Sequence, residues 1–300
     1  MRNKGICLFL AALLLHLAQP VFSEAHEIVV IKSAEIKPYN EALEGFRSSF
    51  ACDVTEMVMT EADSSDILRK VHEPNTAAVL AIGMDALNLA RSVRDIPVIY
   101  AMVPHSPTPG PESKPLSGVS MYIPPDRYIG SMLDVFQGAK RIGVIYDPRN
   151  SEAYMKEALQ SAQGRGVDLI LRKAARPADI PALIDSMKDK IDVFWMLPDA
   201  TVINPETVKY LLLFSFQNKV PVFTFSRKYV EIGSAAGLYS APFDMGVQAG
   251  EIARKIVAEK NPKTVKTDAR KTVLAVNGKI IRKLGVKVRE DVLKKAEYVD

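Results

Sequence analysis

The stretch VLAIGMDALNLA, residues 79–90, carries an apolar run to a glycine, Gly83, and then begins a helical pattern at Met84 or Asp85. A strand that turns into a helix at glycine presents free backbone N–H groups suited to an anion. Asp85 puts a carboxylate in the same place, with three roles open to it: replacing the anion, repelling it, or capping the helix. Short polar groups close other apolar runs in the same way. In the first half they are Ser33, Gly83 to Asp85, and Met102 to Pro104; in the second they are Asp147 to Ser151, Pro198 to Thr201, and Ser226 with Arg227. Open α/β sheets bind ligands where loops and helix N-termini gather at the carboxyl ends of strands, so this placement points to binding.

Catalytic chemistry has less support. Beyond residue 25 the histidines are His26, His72 and His105, and no two have metal-ligand spacing. Cys52 has no nearby partner, and neither a G-x-S-x-G elbow nor a G-x-x-x-x-G-K-[ST] loop occurs. No catalytic residue, metal site or cofactor is expected.

The elements that must position these groups alternate in type. EIVVIKS is followed by YNEALEGFRSSF, where Tyr39, Leu43, Phe46 and Phe50 recur at helical spacing. DVTEMVM, SSDILRKVH, TAAVLAIG, MDALNLARSV and PVIYAMV continue the order, which calls for a parallel sheet with helices on both faces. The proline-rich PHSPTPGPESKP (Pro104 to Pro115) can be neither central strand nor helix and reads as a loop near a domain junction. After it a second array starts at DRYIGSMLDVFQGA and RIGVIYD and runs to VPVFTF. AAGLYSA, a long helix from Phe243, TVLAVN and a helical tail follow. Two successive arrays imply two similar lobes with a cleft between them, and the added C-terminal length implies recrossing between lobes.

The first 25 residues have a separate character. Arg2 and Lys4 precede the apolar run from Ile6 to Ala18, and small residues stand at Ser23 and Ala25. This reads as a signal peptide cleaved after Ala25, too short in its apolar run for the roughly 20 residues of a membrane span. The alternative is an uncleaved anchor. Removing it takes away Arg2, Lys4, Glu24 and Cys7, lowering the net charge from +4 to about +3 and leaving Cys52 alone. The expected product is a soluble periplasmic protein without an internal disulfide. Its mild charge argues against a nucleic-acid surface, and the lysine-rich stretch from Lys255 to Lys295 reads as a solvated helical face.

The stretches AKRIGVIYDPRNS (Ala139 to Ser151), LPDATV (Leu197 to Val202), NKVPVFTFSRKYVEIGSAAGLYSAPFDMGVQAGEIARKI (Asn218 to Ile256) and VNGKIIRKLGVKVREDVLKKAEYV (Val276 to Val299) resemble ABC-transporter substrate-binding proteins of the tryptophan/tyrosine-binding type. The resemblance implies the periplasmic binding protein type I fold: two similar doubly wound parallel-sheet lobes, joined by three crossovers near Met121, Tyr239 and residues 262–272. Lobe I would comprise residues 26–121 with about 241–265, and lobe II residues 122–240 with about 270–300. It implies a monomer that takes a small-molecule ligand, amino-acid-like or aromatic, and delivers it to an ABC permease in the inner membrane. A sensory or scaffold protein of the same fold, signalling to a membrane partner, is the alternative.

Carried over residue by residue, the resemblance places Asn150 and Ser151 where they could hydrogen-bond a ligand carboxylate. Asp199 and Thr201 could meet an amine or hydroxyl, and Tyr39, Tyr122 and Tyr239 could stack on a ring. Asp244 precedes MGVQAGEIARKI and could serve either the ligand or its helix as a cap, an alternative open at the other polar positions too. Two departures fall in the first lobe. The family commonly has a small hydroxyl residue after the glycine of A-I-G, where this chain has Met84 and Asp85. MVPHSP likewise replaces a usual aspartate-proline turn. Both departures weigh against an amino-acid ligand and leave the architecture untouched.

Overall fold

A computed structural model describes residues 27–107, 116–259 and 263–299. The expected leader, residues 1–25, and most of the proline-rich loop lie outside them.

Two sheets organise the chain. The first contains β1 (Glu27–Lys32), β2 (Asp53–Val58), β3 (Thr76–Ile82), β4 (Val98–Val103), β5 (Ser117–Ser120) and β11 (Lys266–Asp268), in the spatial order β11-β5-β4-β3-β1-β2. Every pairing in it is parallel. The second contains β6 (Arg141–Tyr146), β7 (Asp168–Lys173), β8 (Val193–Trp195), β9 (Val222–Thr224), β10 (Ala236–Ser240), β12 (Thr272–Asn277) and β13 (Glu297–Val299), in the order β13-β12-β10-β9-β8-β6-β7. Here β12 runs antiparallel to β10, so the second lobe is a mixed sheet rather than a wholly parallel one. The α/β architecture of two similar doubly wound lobes is as expected from the alternating elements.

Strands buried on both faces explain the continuous apolar runs. On β1, Ile28 and Val30 face α1 (Lys37–Ser49) and α9 (Pro242–Ala258), while Val29 and Ile31 face the side covered by α2 (Ser64–Val71) and α3 (Met84–Ala90). In the second lobe one face is covered by α4 (Pro125–Val135), α5 (Pro148–Gly164) and α10 (Gly278–Leu284), around Trp195 and Phe223. The other face is covered by α6 (Ile180–Asp185) and α7 (Pro205–Asn218). The helices α8 (Arg227–Glu231) and α11 (Glu290–Leu293) are short links.

The tail departs from a purely helical reading, because it ends in β13 and because Lys266–Asp268 also forms a strand. Each is only three residues long and lies at a sheet edge. Neither KTD nor EYV has enough residues to show an alternation, so the partner strand rather than the local pattern decides their state.

Chain passage from sheet to sheet occurs after β5, after β10 and between β11 and β12. The three passages lie side by side. Ser240 Oγ donates to the Met121 carbonyl at 3.1 Å, Ala241 N to Lys271 O at 3.1 Å, and Ala269 N to Ser120 O at 2.9 Å. After the second passage α9 returns to the first lobe and lies on α1 with almost no side chain between the backbones. A Cβ on Gly246 would overlap the Ala42 carbonyl oxygen, and one on Gly45 would overlap that of Phe243. At Gly250, one turn beyond Gly246, a Cβ would instead overlap the Ser49 side-chain hydroxyl.

Such an approach leaves no room for a methyl group. The substitution Gly246→Ala is expected to destabilise the protein by about 1 to 3 kcal/mol through overpacking. A lowered urea midpoint with an unchanged slope is the expected readout; an unaltered midpoint would show that α1 and α9 separate without cost.

Candidate functional site

The strand orders 2-1-3-4-5 in the first sheet and 7-6-8-9-10 in the second each reverse direction once. In the first the reversal lies between β1 and β3, and in the second between β6 and β8. A crevice forms outside the carboxyl ends at such a switch point, because the connections on either side diverge to opposite faces. Ser33 follows β1 and Gly83, Met84 and Asp85 follow β3, while Asn150 and Ser151 follow β6 and Asp199 and Thr201 follow β8. The carboxyl ends of β5, β10 and β11 are hydrogen-bonded together, Ser240 to Met121 and Ala269 to Ser120, so the two switch points open toward one another.

At the first switch point Gly83 adopts a left-handed φ of 94°. A side chain there would meet Ser33 Oγ and Tyr39 Oη, each at 2.6 Å. Ser33 Oγ accepts from the Ala86 N–H at 2.9 Å and so takes one of the free donors of the α3 N-terminus. The N-cap position itself is Gly83, and among the described residues the Asp85 carboxylate accepts no hydrogen bond; it stands in the first turn, at the positive end of the helix dipole. Its carboxylate is exposed in the first turn, and Met84 beside it is 41% exposed. Burial, followed by the nearby Asp85 charge, raises the pKa of the Tyr39 phenol.

The second switch point is closed on itself. Asp199 is 1% exposed, and four donors fill its two oxygens: Asn150 Nδ2 and Thr201 N at 3.0 Å, Asp147 N at 2.9 Å and Ser151 Oγ at 2.7 Å. Thr201 Oγ1 donates to Asp147 Oδ2 at 2.7 Å. Asp147 caps α5 through Arg149 N and is clasped by the Arg149 guanidinium at 3.0 and 2.5 Å. These bonds, first from Arg149 and then from Thr201, hold the Asp147 carboxyl far below the usual carboxylate range. Asn150, Ser151, Asp199 and Thr201 are thus brought together, with each other as hydrogen-bond partners.

The remaining candidates are dispersed. Met102 is buried at the end of β4 with a left-handed φ of 57°, where the β4–β5 register is irregular. Tyr122 stands in the first passage. Its hydroxyl donates to Glu157 Oε2 at 2.5 Å, and its ring lies 5.8 Å from His105 and 5.9 Å from Tyr154. Burial and the Glu157 bond push its pKa upward. Ser226 precedes α8 and makes no capping bond, while Tyr239 donates to Glu297 Oε2 at 2.5 Å. Tyr239 is raised mainly by burial; Arg227 opposes the rise and Glu41, on α1 of the other lobe, adds to it. Asp244 lies at the hinge, 3.3 Å from Arg270 Nε and 4.0 Å from Lys271 Nζ.

Two groups escaped the sequence reading. Lys32 ends β1 only 1% exposed and bonds Glu35 at 2.5 Å, Asn40 at 2.7 Å and Glu56. Burial opposes its charge, yet the hydrogen bonds it donates to Glu35 and Glu56 outweigh that and raise its pKa. Its signal was a lysine closing an apolar strand with a glutamate three residues on. Glu297, which holds both Tyr239 and Arg227, had none, because its strand was read as helix.

Residues 53–300 match the family model described as ABC transporter substrate binding protein. The chain belongs to this family. Its members are extracytoplasmic solute-binding proteins rather than enzymes. A tyrosine-binding protein of Clostridioides difficile (strain R20291) is 22% identical over 240 residues, 77% of this chain and 68% of that protein. Among solved structures, a ligand-free, open substrate-binding protein with adhesive properties from Clostridium difficile superposes with a TM-score of 0.74 at 20% identity, over 92% of this chain and 99% of that one. An ABC domain in complex with L-Trp from Streptococcus pneumonia gives 0.65 at 22%, over the same shares of each chain. In this substrate-binding protein the switch-point residues thus sit within the architecture of its relatives.

The Asp147 network also fixes an acid response. Because its folded pKa is depressed, the unfolded chain takes up the proton first, near the ordinary aspartate value of about 3.9. The stabilisation is complete above that value and is lost as pH falls toward the folded pKa. Urea midpoints measured between about pH 6 and 2.5 should fall less steeply for Asp147→Asn than for the wild type. Parallel curves would remove Asp147 as a source of acid sensitivity.

Proposed function

We propose that the protein captures a small amino-acid-like or aromatic solute between its lobes and delivers it to an ABC permease in the inner membrane. The carrying observation is the opposition of two switch points, each flanked by polar groups, across a hinge of three adjacent passages. Export through residues 1–25 would place a monomer in the periplasm. The lobes would comprise residues 26–121 with about 241–265 and residues 122–240 with about 270–300. Ser33, Tyr39, Gly83, Met84, Asp85 and Met102 would contribute from the first lobe. Asn150, Ser151, Asp199, Thr201 and Ser226 would contribute from the second, with Tyr122, Tyr239 and Asp244 at the passages. The relatives' tyrosine and tryptophan ligands support the solute class.

Capture by two lobes requires contacts that exist only on closure. Binding stabilises the folded state by RT ln(1 + [L]/Kd), so a micromolar solute at millimolar concentration should add roughly 4 kcal/mol. A thermal-shift screen of amino acids, aromatic acids and amines, nucleosides and short peptides should yield such a solute, and small-angle scattering should then show a smaller radius of gyration. A full library without a shift, or binding without compaction, would count against capture by closure.

A further inference from the structure

The cleft edge has an uneven charge balance. Basic side chains that close strands in both lobes are held by acidic partners: Lys32 by Glu35 and Glu56, Arg149 by Asp147, Lys173 by Glu152, and Arg227 by Glu231 and Glu297. The buried carboxylates of the second switch point are saturated as well, Asp199 by four donors. Asp85 differs. Among the described residues its carboxylate has neither an ion pair nor a hydrogen bond, and it stands exposed at the first switch point. Beside it Tyr39 offers a ring and a hydroxyl that packs against Gly83, and Met84 offers an apolar wall.

A solute carboxylate arriving there would find the Ala86 N–H already taken by Ser33 and an unpaired negative charge in front of it. An ammonium group would find a counter-ion there, with the Tyr39 hydroxyl against Gly83 and the exposed Met84 side chain beside it. We propose that the first-lobe rim receives the cationic end of the solute, with Asp85 as counter-ion and Tyr39 beside it, and that the preferred class is aromatic amines without a carboxylate. This rests on the cleft being the solute site. Asp85 is then the residue that separates this protein's specificity from that of a receptor for free amino acids.

The test compares three probes on one scaffold by calorimetry with the full chain: tyramine, L-tyrosine and 3-(4-hydroxyphenyl)propionate. Tyramine should bind at least about tenfold more tightly than L-tyrosine, and the propionate should bind weakest, since one charge-assisted contact corresponds to about that factor. In Asp85→Asn the tyramine affinity should fall about tenfold and the preference over L-tyrosine should narrow. The melting temperature without ligand should fall only slightly, because the exposed carboxylate contributes no more than its interaction with the α3 dipole. Tyramine failing to bind, L-tyrosine binding as tightly as tyramine, or Asp85→Asn leaving tyramine affinity intact would each overturn the assignment. Compaction on a carboxylate probe that binds as tightly as tyramine would leave capture standing while the cation assignment falls. Failure of every library solute would remove both.

Discussion

Three chain passages leave one sheet for the other, and all three do so at carboxyl ends. Their mutual hydrogen bonds, Ser240 to Met121, Ala241 to Lys271 and Ala269 to Ser120, make them a single narrow seam. That seam constrains everything else, since two doubly wound sheets joined at their carboxyl edges must turn their switch points toward each other. Free N–H groups, loop ends and helix starts then gather in one crevice without any residue being placed there specially. The crevice is a consequence of connectivity, and side chains only decide its lining.

The two walls of that crevice differ in physical character. In the second lobe, Asp147, Asn150, Ser151, Asp199 and Thr201 satisfy one another, so the wall is preorganised and its hydrogen-bond capacity is largely spent. Opening that network for a solute would leave buried groups unpaired, which costs about 1 to 3 kcal/mol per group. The first lobe keeps its exposed groups at the rim: Met84, Asp85 and the edge of Tyr39. Rigidity thus comes from one side and open chemistry from the other, an asymmetry that matches a receptor in which one wall orients the solute and the other selects it.

Much of this was legible in the sequence where a physical pattern is long or repeated. Continuous apolar runs alternating with helical periods gave both doubly wound lobes, and the polar residues after β1, β3, β6 and β8 were found because strand ends are where a sheet cannot bury them. What stayed hidden was partnership. Nothing local to Asn150 or Ser151 shows that Asp199, about fifty residues away, will take their hydrogen bonds. The three-residue edges β11 and β13 have no pattern of their own, so Glu297 and its hold on Tyr239 and Arg227 could not be foreseen. Asp244 read as a cap or a ligand contact, yet Arg270 stands opposite it because α9 and the third passage meet in space.

Arg270 also shows how the seam is coupled to the first lobe. Its guanidinium bonds both Glu251 oxygens at 3.0 Å and lies 3.3 Å from Asp244, so the third passage is tied to α9 at two points about two turns apart. Because α9 is locked backbone to backbone on α1, the seam and the first lobe behave as one body. A closing motion of the kind proposed would therefore fall on the few residues between Met121 and Pro124 and around Ser240 and Lys271, next to the second lobe. Tyr122 sits in that stretch with its hydroxyl on Glu157 and its ring near His105. A change in lobe angle must move this side chain relative to one of its partners, which makes the passage that joins the lobes also a point at which their separation is felt.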